Sequence, residues 1–99
     1  MRRIIWSQGA QEDYLEILRY IAADDPHAAE KVLDAIERTG DSLAAFATGH
    51  PGRVSGTYEK SVPRMPYVIA YSLVDRDQTV AILRVIHSSR DWSDGQWPR

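Results

Sequence analysis

The chain has 99 residues, of which 43% are hydrophobic and 26% charged; this is the composition of one globular domain, 1–99, and not of a disordered or fibrous chain. The absence of cysteine excludes a disulfide framework, a thiolate nucleophile and thiolate metal sites. Twelve Lys and Arg against 14 Asp and Glu, net −2, argue against a protein that holds nucleic acid by neutralising its phosphates.

Arg3-Ile4-Ile5-Trp6 is a β-branched and aromatic run that predicts a short strand, and Ser7 behind it is a candidate N-cap. Over residues 7–24, Tyr14, Ile17, Leu18, Ile21 and Ala22 recur at three and four, with Glu12, Asp13, Glu16 and Arg19 on the other face. That spacing predicts an amphipathic helix. Asp25-Pro26 ends it and starts a second helix, because proline cannot continue a helix but suits its first position, and Asp25 caps it. The second helix is predicted to run to about Thr48. Ala29, Val32, Leu33, Ile36, Gly40, Leu43 and Ala47 form its inward stripe, and Glu30, Lys31, Asp34, Glu37 and Arg38 its wet face. So short a turn predicts an antiparallel hairpin.

Thr48-Gly49-His50-Pro51-Gly52 is dense in breakers and predicts a turn. Beyond it the runs are rich in Val, Ile, Tyr and Thr. Strands are predicted near Arg53 to Ser61, Tyr67 to Val74 and Thr79 to His87, the last two joined by Asp75-Arg76-Asp77-Gln78. Tyr67-Val68-Ile69-Ala70-Tyr71 and Ala81-Ile82-Leu83 are nearly continuously apolar, which predicts strands covered at least partly on both faces, one of them by the hairpin. No apolar run approaches ~18 residues, and the apolar stretch before Ser7 is too short for a signal-peptide core. A cytoplasmic location and no membrane partner are expected.

Charge is uneven along the chain: residues 1–52 carry 5 Lys and Arg against 9 Asp and Glu, and residues 53–99 carry 7 against 5. Any basic surface belongs to the second half. Strand alternation predicts Leu83, Val85 and His87 on one face and Ile82, Arg84 and Ile86 on the other. Arg84, flanked by apolar residues, is expected to be paired or at the edge of the covered area. The cluster has two readings. In one, Arg64, Arg84, His87 and Arg90 converge at the end of the sheet, where guanidinium groups hold a phosphodiester and His87 transfers a proton. In the other, Arg84 and Arg90 pair with helix carboxylates or Asp91, and His87 satisfies a backbone carbonyl; residue chemistry alone favours this one. His27, His50 and His87 lack the spacing that brings two ligands to one metal, and no phosphate-binding glycine loop is present, so neither metal nor cofactor is expected. Trp92 is assigned to the core, and Trp97 to core or partner.

The order of these elements, with Val62-Pro63-Arg64-Met65-Pro66-Tyr67-Val68-Ile69-Ala70-Tyr71 and Ile82-Leu83-Arg84-Val85-Ile86-His87-Ser88-Ser89-Arg90-Asp91-Trp92, resembles the RelE/ParE superfamily of type II toxin-antitoxin toxins over essentially the whole chain. It is most similar to the ParE branch. The resemblance implies an α+β fold, with an N-terminal strand and an antiparallel helical hairpin packed on a mainly antiparallel twisted sheet. Within the superfamily, RelE toxins cleave messenger RNA on the ribosome, whereas characterised ParE toxins poison DNA gyrase and block replication. RelE-type enzymes place an arginine directly after the tyrosine that opens the strand at Tyr67; Val68 stands there in this chain. Val68 supplies neither charge stabilisation nor proton transfer. The lysines of the RelE pattern fall at Glu59 and Ser61, its later arginine is matched by Arg90, and its C-terminal catalytic tyrosine has no match after Tyr71.

The resemblance therefore implies a toxin that causes growth arrest by binding DNA gyrase, without chemistry or sequence-specific nucleic-acid binding of its own, and a cognate antitoxin that folds on it as a hetero-oligomer. Its target-facing candidates are Arg64, Arg84, Arg90, Trp92 and Trp97. Its antitoxin-facing candidates, in the groove between hairpin and sheet, are Ile17, Ile21, Val32, Ile36 and Leu43. Two alternatives stay open: a ribosome-dependent mRNA endonuclease of the RelE type using Arg64, Arg84, His87 and Arg90, and a non-toxic relic that only binds antitoxin.

Overall fold

Ser7 joins the first strand to the first helix. Its hydroxyl accepts the Ala10 N–H at 3.1 Å, satisfying one of the donors that a helix start leaves orphaned, so β1 (Arg3–Trp6) passes directly into α1 (Gln8–Ala22). A computed structural model describes this and the rest of the chain over residues 1–88. Asp25 accepts the Ala28 N–H at 3.1 Å and Pro26 opens α2 (Pro26–Ser42), as the Asp-Pro pair predicts.

The second helix is shorter than its periodicity predicts, ending at Ser42 and not near Thr48. Thr39-Gly40-Asp41-Ser42 is a run of weak helix formers, and the Thr39 and Ser42 hydroxyls bond back to the carbonyls of Ala35 and Thr39 at 2.8 and 2.6 Å, a habit that loosens helices. The chain then turns, dropping Leu43 into the core and placing the Ala44 carbonyl where it accepts the Arg2 N–H at 2.9 Å.

The sheet has the order β1-β5-β4-β3-β2, with β2 at His50–Pro51, β3 at Tyr58–Ser61, β4 at Tyr67–Val74 and β5 at Thr79–His87. β1 runs parallel to β5 and every other pair is antiparallel. The limits of β4 and β5 are those predicted. The predicted turn at 48–52 instead contains β2, whose proline is tolerated because it lies on the sheet's edge. The predicted strand from Arg53 begins only at Tyr58, since residues 52–57 fold into a loop closed by Gly52 N–H to Thr57 C=O at 2.8 Å.

Ala70 faces Arg84 while Tyr71 faces Ile82, so Leu83 is an extra residue in β5, a β-bulge. Simple alternation therefore fails there. Ile82 and Val85, predicted on opposite faces, both belong to the core under the helices. That core is built on the wholly buried Ile36, Leu43, Ile69, Tyr71, Val80 and Ile82, and the Tyr71 hydroxyl donates to the Thr48 carbonyl at 2.8 Å. The opposite face has a smaller cluster of Ala70 and Ile86 beneath Val54 of the 52–57 loop. No helix among the described residues is long and apolar enough to cross a membrane.

Gly40 sets how closely α2 approaches the sheet, because a Cβ there would lie 3.0 Å from Ile82 Cδ1 and 3.2 Å from Trp6 Cζ2. Gly40→Val overpacks this contact and is expected to cost about 1–3 kcal/mol of stability, read as a lower midpoint in urea; an unchanged midpoint would mean the contact is looser than drawn.

Candidate functional site

β1 pairs with β5 only from Thr79 to Ile82, and no described strand covers that side of β5 beyond it. The start of α1 takes over. Ser7 N–H donates to the Ile82 carbonyl and Ser7 Oγ to the Leu83 carbonyl, both at 2.9 Å. Asp13 completes the edge: its Oδ2 accepts the Val85 N–H at 2.9 Å and Arg84 Nε at 2.7 Å, and its Oδ1 accepts Arg84 Nη2 at 2.9 Å. Their side chains are only 20% (Arg84) and 11% (Asp13) exposed. Such two-point, charge-assisted pairs are strong and directional. The Asp13 hydrogen bonds push the Arg84 pKa up against the opposing pull of burial, with the charges of Asp13, Glu16 and Glu12 adding to the effect.

Past Asp13 the helix and sheet diverge into a groove of about 530 Å³, lined by Asp13, Glu16, Ile17 and Tyr20 of α1 and by Tyr67, Val85 and His87 of the sheet. Tyr20 stands 80% exposed at its mouth. Tyr67 pairs with His87 across the strands, their rings meeting edge-on at 5.4 Å. Burial, with Tyr20 adding to it, pushes the Tyr67 phenol up, so it stays a neutral hydrogen-bonding group.

Arg64 lies at the same end of the sheet. Met65 N–H donates to the Val62 carbonyl at 3.2 Å, Pro63 takes the second position of that turn, and Arg64 takes the third at φ 63°. This is the pattern of a type II turn, in which the third position ordinarily carries glycine. Ser88 N–H donates to the Pro66 carbonyl at 2.8 Å, which ties this turn to the end of β5.

The structure thus puts Arg64 and His87 at one end of the sheet and turns Arg84 to Asp13, so of the two readings of Arg84 the one that residue chemistry favours, pairing with a helix carboxylate, is observed. Arg90, Trp92 and Trp97 lie outside the described residues. Among the helix candidates, Ile17 lines the groove and Ile21 and Val32 are half-buried. Ile36 and Leu43, expected as partner anchors, are 0% exposed and are core residues, Ile36 on the part of α2 that faces the sheet and Leu43 in the turn that follows the helix. Periodicity alone places Asp13 on the wet face of α1. The signal for its real role is Arg84, an arginine among apolar residues that needs an acid. Among the described residues no three potential metal ligands come together.

A second carboxylate organises the opposite edge of the sheet. Glu59 is 5% exposed and accepts the Arg53 backbone N–H, Nε and Nη2 at 3.0, 3.1 and 3.3 Å, fixing the 52–57 loop. Burial pulls its pKa up, but the hydrogen bonds and charge of Arg53 outweigh this and hold it below the ordinary 4.5.

Residues 4–92 match the family model for the ParE toxin of the type II toxin-antitoxin system parDE. The chain belongs to the ParE toxin family. It is 40% identical over 92 residues to toxin Y4kP of Sinorhizobium fredii, covering 92% of this chain and 93% of that one. Toxin RelE2 of Caulobacter vibrioides is 32% identical over 91 residues, 91% of this chain and 99% of the other. The fold is shared with a chain of the chromosomal ParDE system from P. aeruginosa, with a TM-score of 0.78 at 23% identity over 88% of this chain and 96% of that one. A chain of the RelBE2 toxin–antitoxin complex from Mycobacterium tuberculosis gives 0.62 at 23% identity over 87% and 96%. This ParE-family chain is a type II toxin-antitoxin toxin with the expected α+β architecture.

Removing the Asp13 carboxylate strands a part-buried guanidinium and the Val85 N–H. Asp13→Ala is expected to cost about 2–3 kcal/mol and Asp13→Asn, which keeps one acceptor, about half of that, both read from urea unfolding. Glu59→Gln is expected to cost about 1–2 kcal/mol at pH 7. Because the folded pKa of Glu59 is depressed, its contribution is complete above the ordinary 4.5 and is lost as pH falls through the folded value. The gap between native and variant stability should therefore close between pH 5 and more acidic conditions; a gap independent of pH would assign it to packing.

Proposed function

We propose that this ParE-family toxin arrests growth by binding DNA gyrase and trapping its cleaved-DNA state, acting in the cytoplasm until a cognate antitoxin neutralises it. The observation that carries the choice of a protein target over RNA is the Asp13–Arg84 pair. Arg84 is one of the three arginines of the competing endonuclease reading, and its guanidinium already holds a carboxylate through two hydrogen bonds, where an RNA phosphate would have to compete. Two further positions support it. Val68 stands where the RelE pattern has arginine, and Glu59 stands where it has lysine and is occupied by Arg53. Catalysed RNA cleavage needs charge stabilisation and proton transfer that these groups do not offer.

Arg64 is the leading target contact. It is exposed, and it occupies a left-handed position at φ 63° that favours glycine; strain retained at a surface cation is a mark of function over stability. An antitoxin is supported by the RelBE2 neighbour, which is a toxin–antitoxin complex, and the accessible apolar anchors proposed for it are Ile17, Ile21 and Val32.

The deciding experiment uses purified, antitoxin-free protein in two assays: gyrase supercoiling with trapped DNA cleavage, and messenger RNA cutting on translating ribosomes. Inhibited supercoiling with trapped cleavage and intact RNA is expected. Cut RNA with unaffected gyrase overturns the proposal in favour of the RelE-type enzyme, and no response in either, with no growth arrest on expression, in favour of the relic. Arg64→Gly is expected to raise unfolding free energy by about 0.5–1 kcal/mol while weakening gyrase inhibition several-fold.

A further inference from the structure

Charge in this fold is sorted by layer. The helical hairpin, residues 8–42, carries nine Asp and Glu against three Lys and Arg, whereas the remaining described residues, which build the sheet and its loops, carry three against seven. Two of the sheet-side cations are neutralised within the molecule, Arg53 on Glu59 and Arg84 on Asp13, and Arg2 donates to the Asp77 carbonyl at 2.9 Å. Arg3, Arg64 and Arg76 are exposed and form no ion pair among the described residues. Arg3 lies on the sheet face away from the helices, because strand alternation opposes it to Ile4 and Trp6, which pack into the core.

Arg76 shares with Arg64 a backbone position that suits glycine or asparagine. The hairpin that joins β4 to β5 closes with Gln78 N–H to the Asp75 carbonyl at 3.0 Å, and its central residues, Arg76 and Asp77, sit at φ 54° and 64°. These are the signs of a type I′ turn, which favours Asn-Gly. Asp tolerates the left-handed region through local side-chain hydrogen bonds, and arginine has no such relief. The turn is held from the N-terminal strand, by Arg2 on the Asp77 carbonyl and by Arg3 N–H on the Gln78 carbonyl at 2.9 Å. Strain kept in place at an exposed side chain points to use of that side chain. Arg64 precedes the eight-residue β4 by three residues and Arg76 follows it by two, so at about 3.3 Å per strand residue the two strained arginines stand about 25–35 Å apart.

We propose that the sheet side of this toxin binds the phosphate backbone of duplex DNA, with Arg64 and Arg76 as the end contacts and Arg3 between the strands' outer faces as a third. The inference rests on the gyrase reading and deepens it: the toxin touches the DNA that gyrase holds as well as the enzyme, while the acidic helices lie on the other side of the sheet. Guanidinium groups match phosphate geometry, and such contacts position a protein without reading sequence. The span between Arg64 and Arg76 approaches one duplex turn, about 34 Å. A duplex carries a charge roughly every 1.7 Å along its axis and so offers a phosphate wherever each arginine lands, whereas an acidic protein surface would need carboxylates placed at both ends of this span. Asp75 and Asp77 flank Arg76 and the net charge of the chain is −2, which keeps the contact weak when gyrase is absent.

The test titrates the full, antitoxin-free chain into a labelled duplex of about 20 base pairs, two helical turns, and follows fluorescence anisotropy from low to moderate salt. Weak binding that does not depend on sequence is expected, with a slope of log affinity on log salt of about −2.7 for three phosphate contacts. The double variant Arg64→Gln, Arg76→Gln is expected to bring the slope to about −1 and to lower affinity at low salt about tenfold or more. Arg64→Lys with Arg76→Lys is expected to restore both, and Lys31→Gln, on the helical layer, to change neither; thermal unfolding verifies that each variant is folded. Absence of duplex binding at low salt, a slope unchanged in the glutamine double variant, an equal loss in Lys31→Gln, tighter binding to single-stranded RNA, or polyglutamate bound as well as the duplex would each overturn the proposal. Duplex binding and gyrase inhibition are separate readouts: a toxin that inhibits gyrase but ignores the duplex sinks the DNA contact alone, and one that binds the duplex but leaves gyrase untouched sinks the gyrase reading and leaves the DNA contact standing.

Discussion

β5 is nine residues long and β1 only four, so more than half of β5 would present an open edge if strands alone had to cover it. Open edges expose backbone donors and acceptors and invite foreign strands. Here a helix start takes the place of the missing strand, with the Ser7 N–H and hydroxyl and the Asp13 carboxylate supplying the hydrogen bonds. Because α1 is pinned at those points, its next turns are aimed, and Ile17 and Tyr20 come to stand opposite Tyr67 and His87. Arg84 is part of this closure. Its charge serves to hold the helix against the sheet.

Much of the architecture was legible because its signals are local. Ser7 and Asp25 cap where short polar side chains before apolar periodicity should cap, and β4 and β5 end where their apolar runs end. The failures come from features that periodicity does not carry. The α2 stripe continues through Leu43 and Ala47, yet the helix yields at Thr39-Gly40-Asp41-Ser42, where propensity is low and a turn buries Leu43 equally well. His50-Pro51 reads as a breaker, but an edge strand needs only one side of its backbone paired. The bulge at Leu83 leaves no mark in the residue types around it and inverts the faces assigned to its neighbours.

The candidate site was legible to a lesser degree, and for a consistent reason. That Arg84 needs a partner follows from its apolar neighbours; that the partner is Asp13, 71 residues away, follows only from the packing of α1 on β5. Ile36 and Leu43 belong to the same predicted stripe as Val32, yet the first two are wholly buried and Val32 only partly. Arg64 was visible as a cation between prolines, whereas the turn it sits in and its left-handed backbone were not.

The bonds that Ser7 makes to the Leu83 edge span 76 residues, while those that join the two helices span 23. At about 5–20 residues per second of synthesis, roughly 4–15 s separate the appearance of β1 from that of the strand it pairs with. The helical hairpin can therefore pair on the nascent chain while the sheet still lacks β5, and contacts of such high sequence separation close slowly even afterwards. In the order of its own synthesis the protein presents its acidic hairpin first and its finished sheet last, so a binder of the hairpin can meet this chain before it is fully folded.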